Sequence, residues 1–189
     1  HWGANWNKGF DVYSKLDDLL ASEEWNDKID FTYIGNLPKN FEFKNAKFVP
    51  PLSGNALANE LKKNQLYITA SVNEPSGNHH IEGAQCGLPI LYINSGGIPE
   101  YCSDYGIEFN IKNLEIKLNE MMEKYYTYVK KLENYRFNSI NMSKEYEELF
   151  VHMFKNKENY LSKRTIDMKK NLIKKFTQNI KRSYKQKIK

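Results

Sequence analysis

Two short apolar runs constrain this chain more than any other feature. Leu66-Tyr67-Ile68-Thr69-Ala70 and Leu88-Pro89-Ile90-Leu91-Tyr92-Ile93 each stop at a loop rich in Gly, Pro, Ser and Asn, and a helix-length segment over about 79–87, ended by Gly87, separates them. Short runs that stay apolar without alternation suit strands buried on both faces. A strand, a helix and a strand in succession make a parallel pair joined by a crossover. Upstream, Phe10, Tyr13, Leu16 and Leu20 recur at helical spacing over about 9–21, and Phe31-Thr32-Tyr33-Ile34 reads as a strand closed by Gly35-Asn36. Residues 37–47 read as loop, Phe48-Val49 as a strand end before Pro50-Pro51, and Ser53 as the cap of a helix over 54–63 through Leu57 and Leu61. Downstream, Gly106-Ile107-Glu108-Phe109 reads as a last short strand. Leu114, Leu118, Met121, Tyr125, Val129 and Leu132 form the apolar stripe of a long helix. A second helix over about 143–155 places Tyr146, Leu149, Phe150 and Met153 on one side. The expected class is α/β, a parallel sheet with helices on both faces and helices at the C-terminal end.

Charge divides the chain where hydropathy does not. The net charge is +5, but the 33 residues from Lys157 onward hold twelve Lys or Arg against Glu158 and Asp167, a charge of +10 that leaves −5 for residues 1–156. The expected organisation is a mildly acidic domain over 1–156 and a basic, helical tail over 157–189. In the tail Ile166, Ile173, Phe176 and Ile180 share a face while Lys169, Lys170, Lys174 and Lys181 occupy much of the rest. Such a helix suits an anionic membrane surface, or its stripe packs back on the protein. It carries no nucleic-acid recognition motif, so nucleic acid is not an expected partner. Cys86 and Cys102 are too few for a disulfide framework or a zinc site and read as small buried apolar residues. No apolar run reaches the ~18–20 residues of a membrane span, and the first residues lack a basic stretch followed by an apolar core. A cytoplasmic chain, peripheral on the membrane if the tail binds lipid, is the expectation.

In an open parallel sheet, ligands bind beyond the carboxyl ends of the strands. The loops after 66–70 and after 88–93 occupy that place, and both are too rich in Gly and Pro to be core. The first runs Glu74-Pro75-Ser76-Gly77-Asn78-His79-His80-Ile81-Glu82, with one carboxylate in the loop and a second about a turn into the following helix. Gly77 lets backbone approach a ligand closely. The free N–H groups and positive dipole end of the helix suit a phosphate, and Glu82 suits a vicinal diol. These residues alone define a phosphate-and-diol site of low specificity, since two glutamates at a given spacing are common and exposed ones are usually only solvated. His79 and His80 are read either as phosphate contacts or as filling of the first helical turn. Glu100, after Pro99, is read either as a substrate contact or as a helix cap. Lys8, taken by itself, is a surface lysine. No Asp-x-Asp pair is present to hold a divalent ion, so neither a metal nor a cofactor is expected.

Glu74-Pro75-Ser76-Gly77, Glu82-Gly83-Ala84-Gln85-Cys86-Gly87-Leu88-Pro89-Ile90-Leu91 and Gly96-Gly97-Ile98-Pro99-Glu100, in that order, closely resemble the donor-site signature of family-4-type retaining glycosyltransferases of group 1. Asn7-Lys8-Gly9-Phe10 resembles the Lys-Gly segment that opens the donor domain of that family. The resemblance covers about 1–155. It implies a Rossmann-like domain that is one half of a GT-B architecture, with a nucleoside-diphosphate sugar as substrate and no metal. It implies that Glu74 contacts the donor sugar, that Gly77, Asn78 and His79 hold sugar and diphosphate, and that Glu82 binds the ribose. Lys8 then pairs with the diphosphate, Gly96 and Gly97 line the pocket, and the base lies near Gly35-Asn36 and the Val49-Pro50 turn. Two departures stand out. The loop glycine is flanked by Ser76 and Asn78 instead of apolar residues, and Trp2 stands where the family often has an arginine. The acceptor half has no counterpart here, so the isolated chain is expected to bind a nucleotide sugar and to need a missing N-terminal acceptor domain for transfer. A non-catalytic sugar-nucleotide-binding or tethering module, and a GT-B-type sugar-nucleotide epimerase, are the alternatives.

Overall fold

Side-chain alternation along three strands places every layer of the domain. The computed structural model describes residues 3–163 together with Lys170, Leu172, Lys174 and Lys175. In chain order the elements are α1 (Phe10–Leu19), β1 (Thr32–Ile34), β2 (Lys47–Val49), α2 (Gly54–Leu61), β3 (Tyr67–Thr69), α3 (Asn78–Gln85), β4 (Ile90–Ile93), α4 (Ile98–Cys102), β5 (Gly106–Phe109), α5 (Leu114–Leu132) and α6 (Ser139–Lys155). The ladder β3-β4-β5 is parallel, with Ile68, Leu91 and Ile107 in one cross-strand row. Successive residues of a strand point to opposite faces. Leu91, Ile107 and Phe109 accordingly enter one core with Phe10, Tyr13 and Leu16 of α1 and Leu114, Leu118 and Met121 of α5. Ile90 and Tyr92 enter a second core with Ala84 of α3, Ile98 and Cys102 of α4, and Leu132 and Tyr135. The sheet is covered on both faces, as its continuous apolar strands require.

The expected single sheet is divided. β1 pairs in parallel with β2 alone, and β3-β4-β5 is a separate ladder. The N–H of Ala70, just past β3, donates to the Tyr13 hydroxyl at 3.2 Å, so a side chain from α1 takes a place that a neighbouring strand would fill. Burial pushes the Tyr13 phenol well above its ordinary pKa. Both ladders still share the first core, where Phe10, Tyr13, Phe31, Tyr33, Phe41 and Phe43 pack ring against ring.

Asp17, only 4% exposed, fixes the long loop ahead of β2. Its carboxylate accepts backbone N–H groups from Lys44 at 2.8 Å, Asn45 at 2.9 Å and Ala46 at 2.6 Å. A buried carboxylate needs such donors. Ser53 sits at the N-cap of α2 in extended conformation but makes no side-chain cap hydrogen bond. Cys102 is fully buried and Cys86 partly so, and both are free thiols.

The chain forms two compact units, one through Asn138 and one from Ser139. The charge step at 156/157 falls inside the second. That unit contains α6 and a further helical stretch over 157–163, and within it Tyr146 stacks on Phe150 at 6.0 Å. Ile166, Ile173, Phe176, Ile180, Lys169 and Lys181, which carry most of the amphipathic tail pattern, lie outside the described residues, as do His1 and Trp2. No described helix is long and apolar enough to cross a membrane.

Candidate functional site

The site is assembled from three segments that meet at the carboxyl end of β3. The first is Asn7-Lys8-Gly9. Gly9 has φ 98°, and a Cβ there would lie 2.4 Å from the Ala70 Cβ, so only glycine lets the start of α1 lie flat on the end of β3. The Val72 N–H donates to the Asn7 carbonyl at 2.7 Å and completes the clamp. Lys8 is thereby presented to the loop that follows β3. Its Nζ lies 2.5 Å from Oε2 of Glu74, in a pair with 24% and 13% of the side chains exposed.

The second segment is the Glu74 loop itself. The Asn73 N–H donates to the Ser95 Oγ at 2.8 Å, and the Gly97 N–H to the Glu74 carbonyl at 2.8 Å. Gly96 has φ 60°, and a Cβ on it would lie 2.1 Å from the Glu74 carbonyl oxygen; one on Gly97 would lie 2.2 Å from that of Pro75. The two glycines let the loop after β4 press against the loop after β3. Ser76 Oγ and Tyr101 Oη, 3.1 Å apart, add a further tie.

The third segment is α3. Gly77 is its N-cap, in extended conformation and without a side-chain cap, so the first N–H groups of the helix have no partner from the cap residue's side chain. With the positive end of the helix dipole they suit an anion. His79 Nδ1 lies 3.2 Å from the Tyr67 hydroxyl. Gly83 makes room for that tyrosine, because a Cβ there would fall 2.6 Å from the Tyr67 Cγ. Burial, with His80 and the Lys8 charge adding to it, holds the His79 pKa well below its ordinary value, so the imidazole is neutral. His80 is fully buried, with its ring 4.9 Å from His79 and 5.3 Å from Tyr101, and neither ring nitrogen has a hydrogen-bond partner. Burial lowers its pKa to about 4. Its placement is that of packing beneath the helix.

A cavity of about 440 Å³ opens over these segments. Lys8, Glu74, Gly77, Asn78, His79 and Glu82 line it, together with Ile34 and Gly35 after β1 and Pro51 and Leu52 after β2. The volume is that of a small-ligand site, and its place beyond the strand ends is the one the topology favours. The structure thus brings together the sequence-expected Lys8, Glu74, Gly77, Asn78, His79 and Glu82. Gly96, Gly97 and Glu100 do not line the cavity: the two glycines stand behind Glu74, and Glu100 lies in the first turn of α4. That helix has Gly97 as its N-cap, so Glu100 is not the cap. Asn73, Tyr67 and Gly83 were not singled out from sequence. Among the described residues no three His, Cys, Asp or Glu side chains cluster as metal ligands would.

A family model described as glycosyl transferases group 1 matches residues 16–142, about two thirds of the chain. This chain belongs to the group 1 glycosyl transferases. The match takes in the Glu74–Glu100 segment, while Lys8 lies ahead of it. Among solved structures this glycosyltransferase domain is similar to sucrose-phosphate synthase from Thermosynechococcus elongatus, with a TM-score of 0.55 at 15% identity, over 78% of this chain and 44% of that one. At that identity the likeness shows the fold, a GT-B domain. This chain therefore spans less than half the length of the enzyme it matches. No curated protein sequence matches it.

Proposed function

We propose that this domain is the donor-binding half of a retaining glycosyltransferase that takes a nucleoside-diphosphate sugar and meets its acceptor on a second domain outside this chain. One observation carries the reading. The Lys8 ammonium, the amino end of α3, and the Glu74 and Glu82 carboxylates converge on one cavity that also reaches the Gly35 and Pro51 loops. Positive charge and free N–H groups suit the diphosphate. Glu82 suits the ribose diol, Glu74 the sugar hydroxyls, and the Gly35 and Pro51–Leu52 backbone the base.

In the transfer step the bond between the anomeric carbon and the diphosphate breaks through an oxocarbenium-like transition state. Negative charge grows on the leaving diphosphate, where Lys8 and the α3 amides stabilise it. The acceptor hydroxyl attacks from the face the leaving group vacates and gives its proton to the departing phosphate. No side chain of this half forms a bond to the sugar. Neutral His79 adds a dipole and no charge. The retained configuration, the donor class and independence from a metal are parts of this proposal.

The test is a thermal-shift screen of the full chain with UDP, GDP, ADP and their glucose conjugates. A ligand at 100 times its Kd stabilises by about 2.7 kcal/mol, which raises Tm by roughly 5–10 °C for a chain of this size. One nucleotide family should stabilise the domain, and Glu82→Ala should abolish the shift. Silence from all six ligands would sink the proposal.

A further inference from the structure

We propose that Glu74, acting through Lys8, makes the site discriminate against the bare nucleoside diphosphate in favour of its sugar conjugate. This rests on the donor-site reading above and concerns what the Lys8–Glu74 pair does within it. The pair closes at 2.5 Å across 66 residues of sequence, and both partners line the cavity. It differs from the local pairs of the helix surfaces, and it is less exposed than Lys15–Glu115, whose side chains are 31% and 41% exposed. Lys63 and Lys124, each 50% or more exposed, reach their glutamates over three or four residues of one helix or its end. Lys8 and Glu74 stand instead on backbones fixed independently, one by Gly9 on Ala70 and the other by Gly96 and Gly97 on the Glu74 carbonyl. Among the described residues, Glu74 is the one carboxylate that pairs with Lys8.

A diphosphate entering the cavity must therefore take Lys8 from a carboxylate already in contact with it. The consequence depends on the rest of the ligand. A sugar conjugate brings hydroxyls next to the released Glu74, which then donate to it in place of the ammonium. A bare diphosphate brings none, so Glu74 stays charged beside phosphate oxygens with Lys8 shared between two anions. A site whose competent state is open one-tenth of the time binds about tenfold more weakly than its intrinsic affinity. The conjugate recovers that loss through Glu74 and the bare diphosphate does not. The same asymmetry favours departure of the diphosphate once the sugar has left.

Calorimetric titration of the full chain with the six ligands above tests this. Glu74→Gln keeps the shape and the capacity to accept from hydroxyls while it removes the charge that holds Lys8. It should bind the free diphosphate about tenfold more tightly than wild type and the sugar conjugate no more tightly, so that their affinity ratio shifts by about tenfold or more. Glu74→Ala, which also frees Lys8, carries the same expectation for the free diphosphate and serves if the glutamine variant folds poorly. In a Lys8→Met background the gain from Glu74→Gln should vanish. An equal shift for diphosphate and conjugate, or a gain that persists without Lys8, overturns the inference and leaves the donor site standing. Failure of wild type to bind any of the six removes the donor site and this inference together.

Discussion

Replacing Gly96 with alanine separates two costs that are usually confounded. Alanine at φ 60° enters left-handed space, which costs about 1–2 kcal/mol. Gly87, at φ 84°, carries a similar strain, but a Cβ there would meet nothing within 4 Å. At Gly96 the new Cβ would lie 2.1 Å from the Glu74 carbonyl oxygen, where a carbon and an oxygen in contact need about 3.3 Å. The two loops must part by roughly 1 Å. That breaks the bond from the Gly97 N–H to the Glu74 carbonyl, a loss of about 1 kcal/mol, and forces repacking worth about 1–3 kcal/mol. Gly96→Ala should therefore be about 2–4 kcal/mol less stable than Gly87→Ala, by these same increments. Urea titration followed by tryptophan fluorescence reads this difference in the unit that holds the site, since all three tryptophans fall in that unit and Trp25 is 1% exposed in its first core. A 1 Å displacement of Glu74 should also weaken binding of the sugar conjugate by about tenfold or more, while Gly87→Ala leaves it unchanged. Two variants within ~0.5 kcal/mol of each other, a spread ordinary for surface changes, with equal ligand affinity, would refute the idea that Gly96 holds the Glu74 loop in place.

Two further outcomes follow from buried polar groups. His80 has its pKa lowered to about 4 by burial; the unfolded chain takes up that proton near its ordinary value of about 6.5. Its stabilising contribution is present above pH 6.5 and is lost as pH falls toward 4, a decline of roughly 3 kcal/mol at most. His79 changes in the same direction. His80→Leu should fold, because neither ring nitrogen has a partner to lose, and should flatten the decline in urea midpoint between pH 7 and 4.5; a decline as steep as wild type would count against it. Asp17→Asn leaves one oxygen to serve three backbone N–H groups and turns an amide toward one of them. It should cost about 2–4 kcal/mol in the same titration, and a loss below ~0.5 kcal/mol would show that the loop before β2 does not depend on that carboxylate.

Periodicity made the strands and their faces legible. Leu91 and Ile90, adjacent in β4, go to different cores as alternation demands. The division of the sheet was not legible, because it turns on where the Tyr13 hydroxyl lies relative to Ala70, a contact across 57 residues. At the site, the resemblance supplied Glu74 and Glu82 but not the support beneath them. Gly96 and Gly97 were expected as pocket lining, yet their lack of side chains serves a contact between two backbones. Gly83 makes room for Tyr67 in the same way, and nothing in the local sequence points to its partner. Asp17 did leave a signal. It stands four residues after Tyr13 and seven after Phe10, on the apolar face of α1, where a carboxylate must find buried donors. Asn73, at φ 56°, is of a type that tolerates left-handed backbone.

The clamp between Asn7–Gly9 and the end of β3 also bears on how the domain closes on itself during folding. The tie between Asn73 and Ser95 spans 22 residues and that between Tyr67 and His79 only 12, whereas Lys8 meets Glu74 across 66. Entropy of loop closure rises with length, so the half of the site built from β3, α3 and β4 is the part that local contacts can organise, and Lys8 joins it by closing the longest of these loops. The Val72 amide, bonded to the Asn7 carbonyl, is the latch of that loop. Its rate of hydrogen exchange is a direct gauge of how often the first turn of the chain lifts away from the sheet.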